Sequence, residues 1–314
     1  MSTALVFPGQ GSQAVGMGKR LAEEFAAARG VFDEVDAALG EKLSAIMWEG
    51  PGDKLTLTEN AQPALMAVSL AALRVIETEA GFDLARDAAF VAGHSLGEYS
   101  ALAAAQSLTI TDAARLLRTR GRAMQKAVPV GVGAMAALVG TTLDQAKAVA
   151  ATASETGVCA AANDNGGGQV VLSGAKSAVE RAVEIAKEQG VKRAMILPVS
   201  APFHCPLMQP AADVMAEALS HVEVKPPRVP LVANVLAEPV TVPAAIVRAL
   251  IAQVTGTVRW RESVVFMAEA GVTLFYEVGA GRVLTGLIKR IAEGASASTI
   301  GSPEDIAAFK TAHS

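Results

Sequence analysis

The sequence predicts an α/β protein with a mostly parallel sheet and a small inserted subdomain. Short apolar runs alternate with segments of helical periodicity along most of the chain, which is typical of a parallel sheet. The middle of the chain instead has the order β-α-β-β-α-β, the split βαβ or ferredoxin-like unit. Segments 129–133 and 198–202, each containing proline, bracket this unit. We therefore expect a discontinuous large domain, residues 1–128 and 199–314, and a ferredoxin-like subdomain at residues 129–198.

The first half of the large domain is predicted to contain two strands and four helices. The two apolar runs end at Pro8-Gly9 and at Gly93, which is typical of buried strands that enter tight turns. Pro63 stands near the first turn of one helix, where proline is tolerated. We predict strands at residues 4–7 and 88–92, and helices at residues 18–39, at residues 62–79, directly after Gly97, and at residues 111–127.

The same patterns predict the strands and helices of the subdomain and of the last third of the chain. Thr142 and Gln145 form a capping box, and residues 163–168 are strong turn formers that predict a loop. In the subdomain we predict strands at residues 134–139, 158–162, 169–173 and 192–197, and helices at residues 142–157 and 176–189. Beyond it we predict strands at residues 231–234 and 274–278, and helices at residues 207–220, 244–253, 261–270 and a final one from Leu284.

Composition narrows the class of protein. The 314 residues are 51% hydrophobic and 18% charged, with a net charge of -4, so a large core is expected and attraction to nucleic acid or an anionic membrane is not. Residues 1–7 are too short for the apolar part of a signal peptide, and no apolar run approaches the ~18 residues of a membrane span. Cys159 and Cys205 are too few for a disulfide framework or a four-thiolate zinc site. We expect a cytoplasmic protein.

Gly93-His94-Ser95-Leu96-Gly97 fits the nucleophile-elbow pattern G-x-S-x-G. A predicted strand precedes it and a predicted helix follows, which is the context that exposes the serine hydroxyl. Ser95 also lies at a helix N-terminus, where free N–H groups favour developing negative charge. The pattern predicts a catalytic nucleophile; the other interpretation is a helix-capping serine in a glycine-rich turn.

A serine nucleophile needs a general base, and the chain has four histidines. We expect His313 to lie in a frayed tail, His221 to end a surface helix, and His94 to point away from the adjacent Ser95. That leaves His204, in a loop stiffened by two prolines, as the predicted base. The alternative is a histidine that is simply packed in a loop.

One arginine is predicted to face inward. Arg120 continues an apolar stripe at spacing i, i+4, i+7, i+11 on the helix from Thr111, whereas three neighbouring arginines fall mostly off it. A buried guanidinium needs an anion, which is either an internal carboxylate or the carboxylate of a substrate, held by a bidentate pair. The stripe consists of Ala113, Leu117, Arg120 and Met124, and the arginines off it are Arg115, Arg118 and Arg122.

The segment Gly9-Gln10-Gly11-Ser12-Gln13-Ala14 matches G-x-G-x-x-A, a weak form of the dinucleotide-binding fingerprint. Pro8 begins the turn, and the region that should hold a second strand with a terminal acidic residue looks helical. We favour a loop that brings the Gln10 amide near Ser95 as an oxyanion donor.

Taken together, these motifs resemble the malonyl-CoA:acyl-carrier-protein transacylases of bacterial fatty acid synthesis. The resemblance spans nearly the whole chain in family order. It rests on Phe7 to Gln13, Gln62-Pro63-Ala64-Leu65, Gly93 to Tyr99, Arg120-Gly121, Val170-Val171 with Ser173-Gly174, Phe203-His204, and Glu277-Val278-Gly279 through Leu284-Thr285-Gly286.

The resemblance implies a hydrolase-like large domain and an enzyme that uses malonyl-CoA and acyl carrier protein, with no cofactor or metal. Ser95 would be the nucleophile and His204 the base, and Arg120 would bind the malonyl carboxylate. The remaining implied roles are the oxyanion hole from Gln10 and the Leu96 N–H, histidine orientation by the backbone carbonyl of Gln253, and pocket residues Gln62 and Phe203. The carrier protein is acidic across this family, so a basic patch should receive it; Lys289 and Arg290 are candidates, and the other interpretation of these two residues is a solvated helix end.

Three other functions stay open on the sequence alone. A serine hydrolase such as a thioesterase would share Ser95 and His204 but has no need for Arg120. A dinucleotide-binding oxidoreductase would use residues 9–14, and a non-catalytic scaffold would hold carrier protein without chemistry. Two half-reactions through an acyl-serine predict ping-pong kinetics for the transferase. Coenzyme A release without an acceptor separates it from a hydrolase, NAD binding tests the oxidoreductase, and unchanged activity in Ser95→Ala would favour the scaffold.

Overall fold

The computed structural model describes residues 2–313. Before the inserted subdomain, the elements are β1 (Ser2–Phe7), α1 (Lys19–Glu24), α2 (Ala26–Leu39), α3 (Leu43–Glu49), α4 (Gly52–Thr56), α5 (Thr58–Ala80), α6 (Leu84–Asp87), β2 (Phe90–Gly93), α7 (Gly97–Ala104) and α8 (Ile110–Ala127). The middle segment contains β3 (Gly133–Val139), α9 (Leu143–Ala153), a 3-10 turn (Ser154–Thr156), β4 (Cys159–Gly166), β5 (Gln169–Ala175), α10 (Lys176–Glu188) and β6 (Arg193–Ile196).

The last third begins with a 3-10 turn (Pro206–Met208) that leads into a helix. The remaining elements are α11 (Gln209–Ser220), β7 (Leu231–Val232), β8 (Pro239–Val240), α12 (Pro243–Thr255), α13 (Trp260–Glu269), β9 (Val272–Val278), α14 (Val283–Ile291), β10 (Ser296–Ile300) and α15 (Pro303–His313). The prediction of a mixed α/β chain with a mostly parallel sheet is confirmed.

The larger sheet has six strands in the order β10-β9-β1-β2-β7-β8. Every neighbouring pair is parallel except β7 with β8. Residues 4–7 of the central strand β1 are fully buried, as expected for a parallel strand covered by helices on both faces. Phe7 pairs with Gly93, so β1 and β2 end at the same edge. The turn at Gly9 and the turn at Ser95 therefore meet there, at the usual ligand edge of such sheets.

The smaller sheet has four antiparallel strands in the order β4-β5-β3-β6. Alternate residues of β3 face opposite sides, as the period of a strand requires. Ala134, Ala136 and Leu138 pack in one core with buried residues of α9 and α10, while Met135 and Ala137 face the cleft. The capping box of Thr142 and Gln145 is present at the start of α9, as predicted.

Three element predictions are wrong in detail. The predicted helix 18–39 is interrupted at Phe25, whose backbone is extended. Helix α5 begins at Thr58, so Pro63 lies inside it rather than in its first turn. Most of the predicted loop 163–168 belongs to β4, because two irregularities in its pairing with β5 accommodate the turn-forming residues.

The carboxyl end of the chain also differs from expectation. The helix from Leu284 is not the final element, since β10 extends the large sheet and α15 follows it. His313 lies in the last turn of α15, where its ring stacks on Phe309 at 3.9 Å between centroids, so the frayed tail was a wrong prediction. No helix within residues 2–313 has the length and apolarity to cross a membrane.

Candidate active site

The turn between β2 and α7 places Ser95 in a strained backbone. Its φ is 54°, in the left-handed region that side chains other than glycine rarely adopt. A Cβ on Gly93 would lie 2.0 Å from the Gly97 carbonyl, and a Cβ on Gly97 would lie 2.2 Å from the Phe7 carbonyl oxygen. The two glycines of the elbow are therefore needed for close backbone approach.

His204 lies within hydrogen-bond reach of Ser95. Its Nε2 is 2.7 Å from Ser95 Oγ, and its Nδ1 is 2.8 Å from the backbone oxygen of Gln253. Because a carbonyl oxygen can only accept, Nδ1 carries the proton and Nε2 is free to accept from the serine hydroxyl. The loop of His204 is strained as well, with a φ of 57°.

The imidazole of His204 is held neutral. Burial, and secondarily the nearby positive charge of Arg120, lowers the pKa of His204 to about 3. The ring is therefore unprotonated, and able to accept a proton, across the neutral range. This is the state in which a general base must start the reaction.

Arg120 is buried on α8 with only 1% of its surface exposed. One terminal nitrogen donates to Gln62 Oε1 at 2.8 Å, and the other donates to Gln253 Oε1 at 2.7 Å and to Ser95 Oγ at 3.1 Å. All three acceptors are neutral, and burial lowers the pKa of Arg120. Within residues 2–313 the guanidinium thus has partners that orient it but no carboxylate in hydrogen-bond contact.

The apolar stripe that predicted the burial of Arg120 is present, but the prediction that the neighbouring arginines lie mostly off this stripe is only partly right. Ala113, Leu117 and Met124 are buried with Arg120. Arg118, which we expected mostly off the stripe, is also buried. It pairs with Glu41 and with the Asn60 side chain, so its charge is satisfied internally.

Gln10 and Leu96 line the same cleft as Ser95. The Gln10 side-chain oxygen accepts a hydrogen bond from the Thr58 hydroxyl at 2.6 Å, which orients the amide. Leu96 is the N-cap of α7, a position whose N–H has no acceptor within the helix.

The cleft has a volume of about 840 Å³ and lies between the two sheets. Gln62 and Phe203, both predicted as pocket residues, line it. Met124, Met135 and Val171 add apolar surface from α8 and from the smaller sheet. Its shape and lining suit a ligand with an apolar stem and a few polar anchors.

Sequence reasoning missed Asn234, whose side chain forms hydrogen bonds with the backbone of the elbow. Its Oδ1 accepts from the Ser95 N–H at 2.8 Å, and its Nδ2 donates to the Gly93 carbonyl at 2.7 Å. The available sequence signal was its position, since Asn234 is a polar residue two positions after a buried parallel strand at the ligand edge of the sheet. His94 also lines the cleft, and its Nε2 lies 2.9 Å from Asn165 Oδ1.

The structure does not favour the dinucleotide-binding interpretation of residues 9–14. The fingerprint requires its glycines to open a helix whose N-terminus meets the pyrophosphate. Here α1 begins only at Lys19, and the Gly11 N–H donates instead to the Gln13 side chain at 2.7 Å. No group of three or more His, Cys, Asp and Glu side chains in the described part of the chain could hold a metal ion.

Comparisons with known proteins point in one direction. Residues 4–307 match the acyl transferase domain family. The chain is 47% identical to the malonyl CoA-acyl carrier protein transacylase of Escherichia coli (strain K12), over 97% of each chain. An acyl-carrier-protein-S-malonyltransferase from Bartonella henselae is 55% identical, with a TM-score of 0.97 over 100% of this chain and 99% of that one. A malonyl-transacylase in complex with a type II PKS acyl-carrier protein is 41% identical, with a TM-score of 0.95 over 99% and 100%.

Proposed function

The chain belongs to the malonyl-CoA:acyl-carrier-protein transacylases, and from that premise we propose how its own residues carry out the transfer. It moves a malonyl group from malonyl-CoA to the phosphopantetheine thiol of acyl carrier protein, which supplies fatty acid elongation. One observation carries the assignment of roles: the guanidinium of Arg120 lies 3.1 Å from Ser95 Oγ and is held by neutral partners. A fixed positive charge beside the nucleophile selects acyl groups that end in a carboxylate.

The first half-reaction forms malonyl-Ser95. Neutral His204 accepts the hydroxyl proton at Nε2 while Ser95 Oγ attacks the thioester carbonyl. The Gln10 amide and the Leu96 N–H stabilise the tetrahedral oxyanion, a contribution of about 2.7–4 kcal/mol per donor in a comparable hydrolase. His204 then gives the proton to the departing coenzyme A sulfur, and the thioester C–S bond breaks.

The backbone oxygen of Gln253 keeps the base in its working state. It accepts from His204 Nδ1, which fixes the tautomer before the reaction and stabilises the imidazolium that forms during it. This oxygen belongs to the last turn of α12, where helix carbonyls lack an intrahelical donor. The helix end is therefore the source of the acceptor.

The second half-reaction reverses the first. The carrier-protein thiol gives its proton to His204 and attacks the malonyl-Ser95 ester, and the serine oxygen leaves with that proton. Arg120 keeps its charged hydrogen bonds to the malonyl carboxylate through both steps, each worth about 1.5–3 kcal/mol. The acyl group is thus retained in one orientation while its partners exchange.

The proposal also covers the division into two domains, the absence of a cofactor and the location in the cytoplasm. We regard residues 1–128 and 199–314 as a hydrolase-like catalytic domain and residues 129–198 as a ferredoxin-like subdomain, supported by the strand order β4-β5-β3-β6. The proposed steps use side chains and backbone groups alone, with no cofactor. Both cysteines are free thiols, which suits a cytoplasmic enzyme.

Intact mass spectrometry tests the proposal against the hydrolase alternative. After incubation with malonyl-CoA and acetyl-CoA together, we expect a malonyl adduct on the enzyme and none on Ser95→Ala. Without an acceptor, coenzyme A release should stop after a burst of about one equivalent per enzyme. Continuous release, or an adduct that persists in Ser95→Ala, would contradict the proposed mechanism.

A further inference from the structure

A buried acid beneath the elbow takes no part in the steps above. Glu98 lies in the first turn of α7 and is fully buried. Its Oε2 accepts from the Gln253 side-chain amide at 2.7 Å and from the Asn234 N–H at 3.2 Å. Its Oε1 has no hydrogen-bond partner in the described chain. Burial raises the pKa of this carboxyl to about 7. Such a costly arrangement calls for a reason.

The reason lies in the side chain of Gln253, which forms hydrogen bonds with four residues of the site: Glu98, Ser95, Arg120 and, at 3.3 Å, Asn234. Its Nε2 donates to Glu98 Oε2 and, at 2.9 Å, to the backbone oxygen of Ser95. Its Oε1 accepts from Arg120 at 2.7 Å. In the opposite orientation, the amide NH₂ would face the guanidinium, and two groups that can only donate would meet.

We propose that Glu98 is a positioning residue for malonyl selectivity, which fixes the Gln253 amide so that its oxygen, and not its NH₂ group, faces Arg120. Glu98 makes no hydrogen bond with the side chains of Ser95, His204 or Arg120; it reaches the guanidinium through the Gln253 amide and through the attraction between opposite charges, and Glu98→Gln removes only the second. The inference rests on the proposed function, because it concerns how Arg120 is held ready for a substrate carboxylate.

These hydrogen bonds explain how Gln253 can act on both the thioester end and the carboxylate end of the substrate. The backbone oxygen of Gln253 orients the base, while its side chain orients the cation. The backbone oxygen is fixed by α12 and is independent of the side-chain amide. Loss of Glu98 should therefore disturb the carboxylate end of the substrate more than the thioester end.

Glu98→Met, which keeps volume but removes the acceptor, is the principal test. We expect kcat/KM for malonyl-CoA to fall about 10–100-fold, the range of one hydrogen bond to a charged group, mostly through KM. Transfer from acetyl-CoA should fall less than about threefold. Glu98→Gln, whose amide oxygen still accepts from Gln253, should restore malonyl transfer to within about fivefold of the native rate. Ser100→Ala, a buried change on the same helix, is the matched control and should leave both activities unchanged.

Equal losses of malonyl and acetyl transfer in Glu98→Met would overturn the proposal and leave Glu98 a structural part of the elbow. Should Glu98→Met fail to fold, Gln253→Met takes its place, since it keeps the backbone oxygen and must show the same malonyl-selective loss. Arg120→Ala distinguishes a failure of the proposed function from a failure of the role of Glu98. If that variant loses both activities equally, the proposed function fails; if only the Glu98 and Gln253 variants do so, this inference alone fails.

Discussion

At the scale of single residues, Arg120 is unusual because no carboxylate within residues 2–313 forms a hydrogen bond with its buried guanidinium. Arg118, two residues earlier on α8, is also buried but pairs with Glu41. Arg120 instead donates to two glutamine oxygens and a serine hydroxyl. Neutral acceptors orient a guanidinium without cancelling its charge, so the remaining electrostatic attraction is available to a bound anion.

The first prediction concerns this charge. Arg120→Ala should lower kcat/KM for malonyl-CoA about 100–1,000-fold, as expected for two lost charged hydrogen bonds, and acetyl transfer much less. Arg122→Ala is the matched control, because Arg122 lies on the same helix, is exposed and pairs with Glu59. Initial rates with both acyl-CoA substrates provide the measurement. Parallel losses in the two would make the arginine a structural residue.

The second prediction concerns pH. Because the pKa of His204 is lowered from 6.5 to about 3, the base is already unprotonated at pH 5 and gains nothing as the pH rises. The rate of malonyl-enzyme formation in single turnovers should therefore stay flat from about pH 5 to 8. The series should be run in Glu98→Gln, which removes the other buried group near the nucleophile that titrates near pH 7. A fall below an apparent pKa near 6.5 would show that His204 ionises normally.

The sequence predicted Ser95 and Arg120 as site residues from their own local patterns, and Gln253 from the family resemblance, but it did not predict Asn234 or Glu98. Ser95 is marked by its elbow, and Arg120 by a helical stripe. Asn234 and Glu98 have no such local mark, since their contacts join segments more than 130 residues apart. The hydrogen bond between the Asn234 N–H and Glu98 forms only when the segment after β7 packs against α7.

At the scale of elements, the elbow depends on how closely α7 approaches β1. The chain crosses there with no room for a side chain, since a Cβ on Gly97 would meet the Phe7 carbonyl. The sequence pattern G-x-S-x-G contains this requirement, which is why the turn could be predicted. The extension of β4 beyond residue 162 could not be predicted, because it depends on backbone hydrogen bonds of Ala162 and Asp164 with Val258, far along the chain.

The third prediction compares two glycine substitutions in helices. Gly97→Ala should lower the free energy of unfolding by about 1–3 kcal/mol or more through overpacking, and should abolish transfer by shifting Ser95. Gly286→Ala, in α14, meets nothing within 4 Å and should raise stability by about 1 kcal/mol. Denaturant unfolding of both variants provides the comparison. Native stability and activity in Gly97→Ala would show that the elbow tolerates a side chain.

At the scale of the whole molecule, residues from both sheets line the cleft. The larger sheet carries Ser95 at the edge where β1 and β2 end, and the smaller sheet supplies the apolar wall that contains Met135 and Val171. Helix α14 lines the cleft through Leu284 and Leu287 and ends in Lys289 and Arg290. A helix that lines the cleft thus carries a local positive charge at its carboxyl end, on a molecule whose net charge is -4.

The fourth prediction tests whether that local charge receives the acidic carrier protein. We expect Lys289→Glu with Arg290→Glu to raise the apparent KM for carrier protein about tenfold at low salt, because complementary charge acts mainly on encounter. The rate of malonyl-Ser95 formation from malonyl-CoA should stay unchanged, since neither side chain lines the cleft. Arg290 packs near Gly167 at the tip of the β4–β5 hairpin, so Lys289→Glu alone separates charge from packing. The difference between native and variant enzyme should shrink as salt is raised, because screening weakens exposed charges. An unchanged carrier-protein KM at low salt would exclude this end of α14 from the docking surface.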